Sequence, residues 1–274
     1  MSSYPKDEIL LATCRAGLGK IVIVEGESID QDPYYYGRWF GDLARELTFL
    51  PQNGCDQVVK AVAYLREHLP HARTVYGIRD RDFQTHTDPG DSMPADGVLW
   101  PARFTMENYL LEPEGWFEVI KLVHRSARPP GWDSVDDLRE RILDAYRKCL
   151  TVSAFNLTVK QEYARLPGDP TGAALGYKHH PSSVNDATLA QLDAWGTTRG
   201  APPLREHYDA ELRRLSSAPL SEWQHRVTGK AVLKVFHNSF PGVNARHLLD
   251  NLYLDKYPNP PDDLARLVQR ILAA

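Results

Sequence analysis

The sequence has few cysteines, and their placement excludes several classes of small or metal-bound protein. Only Cys14, Cys55 and Cys149 occur in 274 residues, without the spacing of a zinc site or a disulfide framework. We therefore expect a reducing compartment, the cytoplasm. No apolar run approaches the roughly 20 residues that a membrane-spanning helix needs. The polar residues 1–8 are unlike a signal peptide.

The chain also lacks an excess of positive charge. Its 32 Lys and Arg residues are outnumbered by 36 Asp and Glu residues, which gives a net charge of −4 at pH 7. This balance argues against a generally basic nucleic-acid binder, so any contact with a polyanion must come from a local patch. The hydrophobic share of 42% is that of an ordinary globular protein.

Two short apolar runs that end in acids are the most informative features present. Residues 21–24 lead directly to Glu25, and residues 74–78 lead to Asp80 and Asp82. Each run has the length and composition of a buried β-strand. The carboxyl ends of parallel strands share one crevice, where open α/β sheets bind ligands, so we expect these acids to converge. Converging carboxylates repel each other, which favours a hard divalent cation, Mg²⁺ or Mn²⁺, between them.

Strand-like and helix-like segments alternate around these two runs. Apolar residues recur at helical spacing over residues 33–47 and 56–69, and further short strands are predicted at residues 48–51 and 97–100. Strands separated by helices of this length predict parallel crossovers. The expected fold class is therefore α/β, a parallel sheet flanked by helices. We assign residues 1–113 to this domain, with a short helix at its start.

Residues 114–274 are predicted to form a mainly helical C-terminal region packed on that domain. The predicted helices span residues 116–124, 135–150, 189–195, 207–215, 230–237 and 262–272. Loops rich in Pro, Gly and Ser separate them. No long flexible linker marks the boundary between the two regions.

The acids after the two strands resemble a known arrangement. The motifs Val24-Glu25-Gly26 and Asp80-Arg81-Asp82 are similar to the Toprim module shared by topoisomerases, bacterial primases and the overcoming-lysogenisation-defect (OLD) nucleases. In that module a glutamate follows the first strand and an Asp-x-Asp pair follows the third. Further segments resemble a branch of small Toprim proteins, and these are Gly77-Ile78-Arg79, Met106-Glu107-Asn108-Tyr109-Leu110-Leu111 and Gly229-Lys230-Ala231-Val232-Leu233-Lys234. The resemblance covers about residues 20–112 and is thin beyond them.

The resemblance implies a Mg²⁺-dependent Toprim endonuclease that cleaves RNA, tRNA included, or DNA. Members of this branch act as toxic effectors in bacterial anti-phage defence, notably in the phage anti-restriction-induced system (PARIS), beside an ABC-type ATPase sensor. An ATPase partner is therefore expected. We also expect a homodimer, because two-fold symmetry would place two binding surfaces along one duplex or hairpin. Trp195 and Trp223 are interface anchors if exposed and core residues if buried.

The predicted site is the set Glu25, Asp80, Asp82, Glu107, Lys230 and Lys234. Phosphodiester hydrolysis needs a nucleophilic water, stabilised phosphoryl oxygens and help for the leaving oxygen, and Mg²⁺ ions can supply all three. The four acids are the predicted metal ligands, and Glu25 also suits the base that activates water. The two lysines, four apart on a predicted helix, suit the scissile phosphate. Arg79 and Arg81 suit flanking phosphates.

Structural explanations of the same residues stay open. Glu25 also suits a helix cap, and Asp80 and Asp82 suit a turn. Glu107 also suits a surface ion pair with an arginine, and Lys230 and Lys234 suit a solvated helix face.

Two other functions stay open as well. A haloacid-dehalogenase-like phosphatase also has an Asp-x-Asp pair, although it follows the first core strand in that family and would leave Glu25 without a role. A non-catalytic module would use the acidic edge to dock a basic partner.

Overall fold

A four-stranded parallel sheet forms the first part of the structure, a computed structural model that describes residues 19–69, 74–81, 93–163, 184–242 and 246–274. The strands are β1 (Lys20–Glu25), β2 (Leu47–Gln52), β3 (Val75–Ile78) and β4 (Val98–Leu99). Their order is β2-β1-β3-β4, and every neighbouring pair is parallel. The predicted α/β class with a parallel sheet is confirmed. The short helix predicted at the start of the chain lies outside the described residues.

The direction of winding reverses between β1 and β3. From β1 the chain passes to β2 on one side and then returns to β3 on the other. Val24 pairs with Ile78, so β1 and β3 end at nearly the same level. Ligands of open α/β sheets bind at such a reversal, outside the carboxyl ends of the strands. Glu25 and the residues after Ile78 occupy that position.

Two helices, α1 (Asp32–Trp39) and α2 (Cys55–His68), lie between these strands in the sequence. One core cluster joins β1 to α2, with the buried members Ile21, Ile23, Val58, Ala61, Val62, Leu65, Val75 and Val98. Leu47 was expected in the first helix and instead begins β2. The helix ends at Trp39, where a short 3₁₀ turn (Gly41–Leu43) begins with a glycine, a poor helix former.

Helices make up most of the described chain after residue 112. They are α3 (Pro113–Val123), α4 (Val135–Tyr163), α5 (Asp186–Thr198), α6 (Leu204–Ser216), α7 (Leu220–Arg226), α8 (Gly229–Ser239), α9 (Arg246–Lys256) and α10 (Asp262–Ala273). The predicted helical character of the C-terminal region is confirmed. None of the helices among the described residues is long and apolar enough to cross a membrane.

Three of these helices differ from the sequence-based prediction. Helices α7 and α9 were not predicted, and α4 continues well past residue 150. Polar residues in α4 break the apolar pattern although they are buried. Thr158, for example, is fully buried, and its hydroxyl is satisfied because it donates to the carbonyl of Ala154 one turn earlier, at 2.9 Å.

The chain divides into two compact units. The first unit comprises the chain up to Ala102 together with Tyr257–Ala274, and the second unit comprises Arg103–Lys256. The division falls after Ala102, whereas a boundary was expected after residue 113. Helix α10 belongs to the first unit although it follows the second unit in the sequence. The ammonium of Lys20 at the start of β1 donates to the carbonyls of Ile271 and Leu272, at 2.7 Å each, and so caps the end of α10.

The two tryptophans considered as interface anchors are buried. Trp195 is 5% exposed and Trp223 is 7% exposed. The indole N–H of Trp223 donates to the carbonyl of Leu215 at 2.7 Å. Both side chains therefore stabilise the interior of the second unit, and the hypothesis that they are exposed anchors is wrong.

Candidate active site

Glu25 and Asp80 lie together at the carboxyl edge of the sheet. Glu25 is the half-buried last residue of β1, and Asp80, two residues past β3, is 7% exposed. The backbone N–H of Asp80 donates to Oε1 of Glu25 at 2.8 Å. A hydrogen bond to a charged acceptor is short and strong, so this bond fixes the Glu25 side chain across the gap between the two strand ends. The structure thus places the Glu25 carboxylate against the backbone of Asp80.

The turn after β1 keeps the chain close to this edge. Gly26 has φ +122°, a conformation that glycine adopts without strain. A side chain there would also crowd Gln31, whose Cβ would lie 3.2 Å from the new Cβ atom. The backbone N–H of Glu27 donates to Oε1 of Gln31 at 2.9 Å, which closes the turn. The turn therefore delivers the chain directly from Glu25 to the start of α1.

Asp32 is a buried acid that sequence reasoning missed. It is the first residue of α1 and is 6% exposed. A Cβ atom added to Gly26 would lie 3.5 Å from the backbone nitrogen of Asp32, so the two residues are close. An aspartate in the first turn beside a proline is common at helix starts, so this pattern did not mark Asp32 as a buried acid.

The third acid of the predicted strand-end cluster, Asp82, lies outside the described residues. Among the residues that are described, no three His, Cys, Asp or Glu side chains form a group that could hold a metal ion. Mg²⁺ is commonly bound by only one or two carboxylates, while water and substrate phosphates complete its octahedron. Two carboxylates are therefore enough protein ligands for a site of this kind.

The two arginines that flank Asp80 are held in different ways. Arg81 donates from Nη1 to the carbonyl of Ala102 at 3.0 Å, which anchors it to the backbone. Arg79 places its guanidinium over the ring of Trp100, 5.8 Å from the ring centroid. Its Nε atom is buried and has no hydrogen-bond partner in the described part of the chain. Arg79 is thus a cation at the sheet edge with an unsatisfied donor.

Glu107 and Lys230 lie in the second unit and pair with each other. Nζ of Lys230 is 3.6 Å from Oε1 of Glu107, whose side chain is only 12% exposed. The other carboxylate oxygen, Oε2, is buried without a hydrogen-bond partner among the described residues. Lys234 follows one turn later on α8 and is half-buried. The structure thus brings Glu25 to Asp80 and Glu107 to Lys230, within separate units.

Asn108 holds the backbone around the Glu107–Lys230 pair. Its Oδ1 accepts the N–H groups of Thr105 and Gly229, at 2.9 and 3.0 Å. Its Nδ2 donates to Oη of Tyr146 and to the carbonyl of Val227, at 3.0 Å each. Burial raises the pKa of Tyr146, so this phenol stays protonated. Sequence reasoning missed Asn108 as a structural centre, although it lies in a quoted motif.

No protein-family model matches the sequence, and no curated protein matches it either. The resemblance to Toprim nucleases therefore depends on the motif residues themselves.

Proposed function

We propose that the carboxyl edge of the sheet is the active site of a Mg²⁺-dependent nuclease, with Glu25 and Asp80 as its metal-binding acids. The supporting observation is the 2.8 Å hydrogen bond from the Asp80 N–H to Glu25 Oε1, which joins two acidic residues at adjoining strand ends. Those strand ends lie where the sheet reverses its winding, the position at which such sheets bind ligands. A bound Mg²⁺ would supply a nucleophilic water and stabilise the phosphoryl oxygens.

The protein contributes fixed carboxylates. Glu25 is oriented by the backbone N–H of Asp80, two residues past β3, and strand ends are rigid supports for such a group. Asp80 is nearly buried beside it, at 7% exposure. Asp82 enters the proposed ligand set through its Asp-x-Asp spacing alone.

The remaining predicted site residues enter through the resemblance. Glu107 is proposed as a further acid of the reaction, and Lys230 and Lys234 as cations for the scissile phosphate. Their support in the structure is local: Lys230 is 43% exposed while paired with Glu107, so its ammonium remains accessible to an anion.

The biological setting is proposed on the same resemblance. The substrate is RNA, tRNA included, or DNA, and the enzyme acts as a toxic effector in anti-phage defence. An ABC-type ATPase sensor restrains or releases it, because an unregulated nuclease would harm its host.

Cleavage of nucleic acid by the purified protein tests the proposed function. Single-stranded RNA, tRNA and DNA are incubated with Mg²⁺, with Mn²⁺ or with a chelator, and fragments are separated on denaturing gels. We expect metal-dependent cleavage that Glu25→Gln and Asp80→Asn each reduce by about 100-fold or more. Glu46→Gln is the matched control, because this exposed acid precedes β2 at the opposite, amino edge of the sheet.

Other outcomes would contradict the proposal. Cleavage that survives both substitutions, or that proceeds equally in chelator, would exclude this site as a metal-dependent nuclease centre. Release of phosphate from a phosphomonoester, with a covalent phosphate on Asp80 and no strand cleavage, would favour the phosphatase alternative. Binding of a basic protein without any metal response would favour the docking module.

A further inference from the structure

We propose that Arg79 binds a backbone phosphate of the nucleic-acid strand and that Trp100 positions its guanidinium for that contact. This inference rests on the proposed function, since it adds a substrate-binding residue beside the acid pair. It also separates Arg79 from Arg81, which the sequence presents as equivalent.

Arg79 is fixed at the sheet edge by its backbone. Ile78 pairs with Leu99, and the N–H of Arg79 donates to the carbonyl of Leu99 at 3.1 Å. Arg79 and Trp100 are thus the first residues beyond two neighbouring strands. The guanidinium lies 5.8 Å from the centroid of the Trp100 ring, a favourable cation–aromatic contact that restricts the arginine side chain.

Among the described residues, no acid matches the charge of Arg79. No carboxylate of the described chain forms an ion pair with it, and its buried Nε has no acceptor there. A buried donor without an acceptor is unfavourable, and more so when it is charged. The side chain as a whole is half-buried, so an anion from outside the chain would contact the guanidinium through its Nη groups rather than through the buried Nε. Arg81, in contrast, already donates to the carbonyl of Ala102.

A phosphate fits this position better than other acceptors. The planar guanidinium can donate two parallel hydrogen bonds to phosphate oxygens. Asp80, the next residue, is a proposed metal ligand. Because the two residues are adjacent, a phosphate bound by Arg79 would lie close to the reacting phosphate on the same nucleic-acid strand. The chain carries a net charge of −4, so a local cation beside the acidic pair is needed to attract a polyanion.

The salt dependence of nucleic-acid binding tests this assignment. Short fluorescent single-stranded RNA and DNA are titrated by anisotropy in a Ca²⁺ buffer at several salt concentrations. We expect Arg79→Ala to weaken binding about tenfold and to reduce the slope of log K against log salt by about 0.7, the loss of one phosphate contact on a single strand. Arg79→Lys should retain the slope, because the charge remains. Comparison of the RNA and DNA series identifies which of the two nucleic acids Arg79 contacts.

Arg45→Ala is the matched control. Arg45 is an exposed arginine of the same unit, two residues before β2 at the amino edge of the sheet, and should leave both affinity and slope unchanged. Thermal unfolding checks that each variant folds, and Arg79→Gln replaces Arg79→Ala if the alanine variant does not fold. Equal losses in the Arg79 and Arg45 variants, an unchanged slope in Arg79→Ala, or no binding by the wild type would overturn the inference.

The binding assay and the cleavage assay separate the two proposals. Metal-dependent cleavage combined with binding that ignores Arg79 would overturn only the phosphate contact. Binding that depends on Arg79, with no cleavage in any metal, would overturn the nuclease function and leave the phosphate contact standing.

Discussion

At the residue scale, Glu25 combines an observed hydrogen bond with a proposed metal-binding role, and substitution can separate the two. Its negative charge is proposed to bind the cation, while its Oε1 accepts the N–H of Asp80. The charge argument alone predicts that removing one of two repelling carboxylates leaves stability unchanged or slightly higher. The hydrogen bond adds an opposing effect, because its loss removes an acceptor of the part-buried Asp80 N–H.

We therefore expect different stabilities for two Glu25 variants. Glu25→Gln keeps an acceptor oxygen and should unfold at nearly the wild-type denaturant concentration. Glu25→Ala removes the acceptor and should lower the free energy of unfolding by about 1–3 kcal/mol. Urea unfolding followed by circular dichroism measures both. Equal stability of the two variants would show that this hydrogen bond contributes nothing in solution.

Cys149 should be chemically inert in the folded protein. Burial raises the pKa of its thiol to about 12, so almost no reactive thiolate forms at pH 8. We expect iodoacetamide to leave Cys149 unmodified in the native protein and to modify it in denaturant, as read by peptide mass spectrometry. Because the fold favours the protonated thiol, stability should fall as the pH rises above the ordinary thiol pKa, near 9. Rapid native modification would contradict the burial of this side chain.

At the element scale, the start of α8 depends on a glycine. A Cβ atom at position 229 would lie 2.2 Å from the backbone nitrogen of Asn108, a distance that requires a backbone shift. We expect Gly229→Ala to lower the free energy of unfolding by about 1–3 kcal/mol. Gly37→Ala is the control, since a Cβ atom there meets nothing within 4 Å in a helix, and it should be neutral or stabilising by up to about 1 kcal/mol. Differential scanning calorimetry compares the two, and equal melting temperatures would contradict the close approach.

Sequence patterns predicted the strands and helices whose formation depends mainly on neighbouring residues. The apolar run of residues 21–24 predicted strand β1 with Glu25 at its end, because buried strands have a distinctive composition. The alternation of such runs with helical patterns predicted the parallel α/β class. The extension of α4 and the short α7 were not predictable by periodicity. Their stability depends on tertiary burial and on bonds such as that of Thr158 to Ala154. The pairing of Glu107 with Lys230 was also invisible, because it joins residues far apart in the sequence.

At the scale of the whole molecule, the first unit is discontinuous. It includes Tyr257–Ala274, whose helix α10 buries Leu264, Leu267, Val268 and Ile271. Sequence alone could not reveal this return, because its contacts with Lys20 span almost the whole chain. A chain that ends at Lys256 should therefore lose sheet stability. We expect a lower melting temperature than for the full chain and increased binding of a hydrophobic dye. An unchanged melting temperature would contradict the assignment of α10 to the first unit.

The homodimer stays a prediction at this scale. With Trp195 and Trp223 buried, a dimer interface must use other residues. Multi-angle light scattering at micromolar concentration should give twice the chain mass. A monomer would exclude the dimer without affecting the proposed site.

Binding of Mn²⁺ in the absence of nucleic acid most directly tests the proposed metal site at Glu25 and Asp80. Titration followed by electron paramagnetic resonance measures free Mn²⁺ for the wild type, Glu25→Gln, Asp80→Asn and the control Glu46→Gln. We expect the wild type and the control to bind Mn²⁺ alike, and each acid-pair variant to bind it at least about tenfold more weakly. Equal Mn²⁺ binding in all four proteins would contradict a metal site at Glu25 and Asp80.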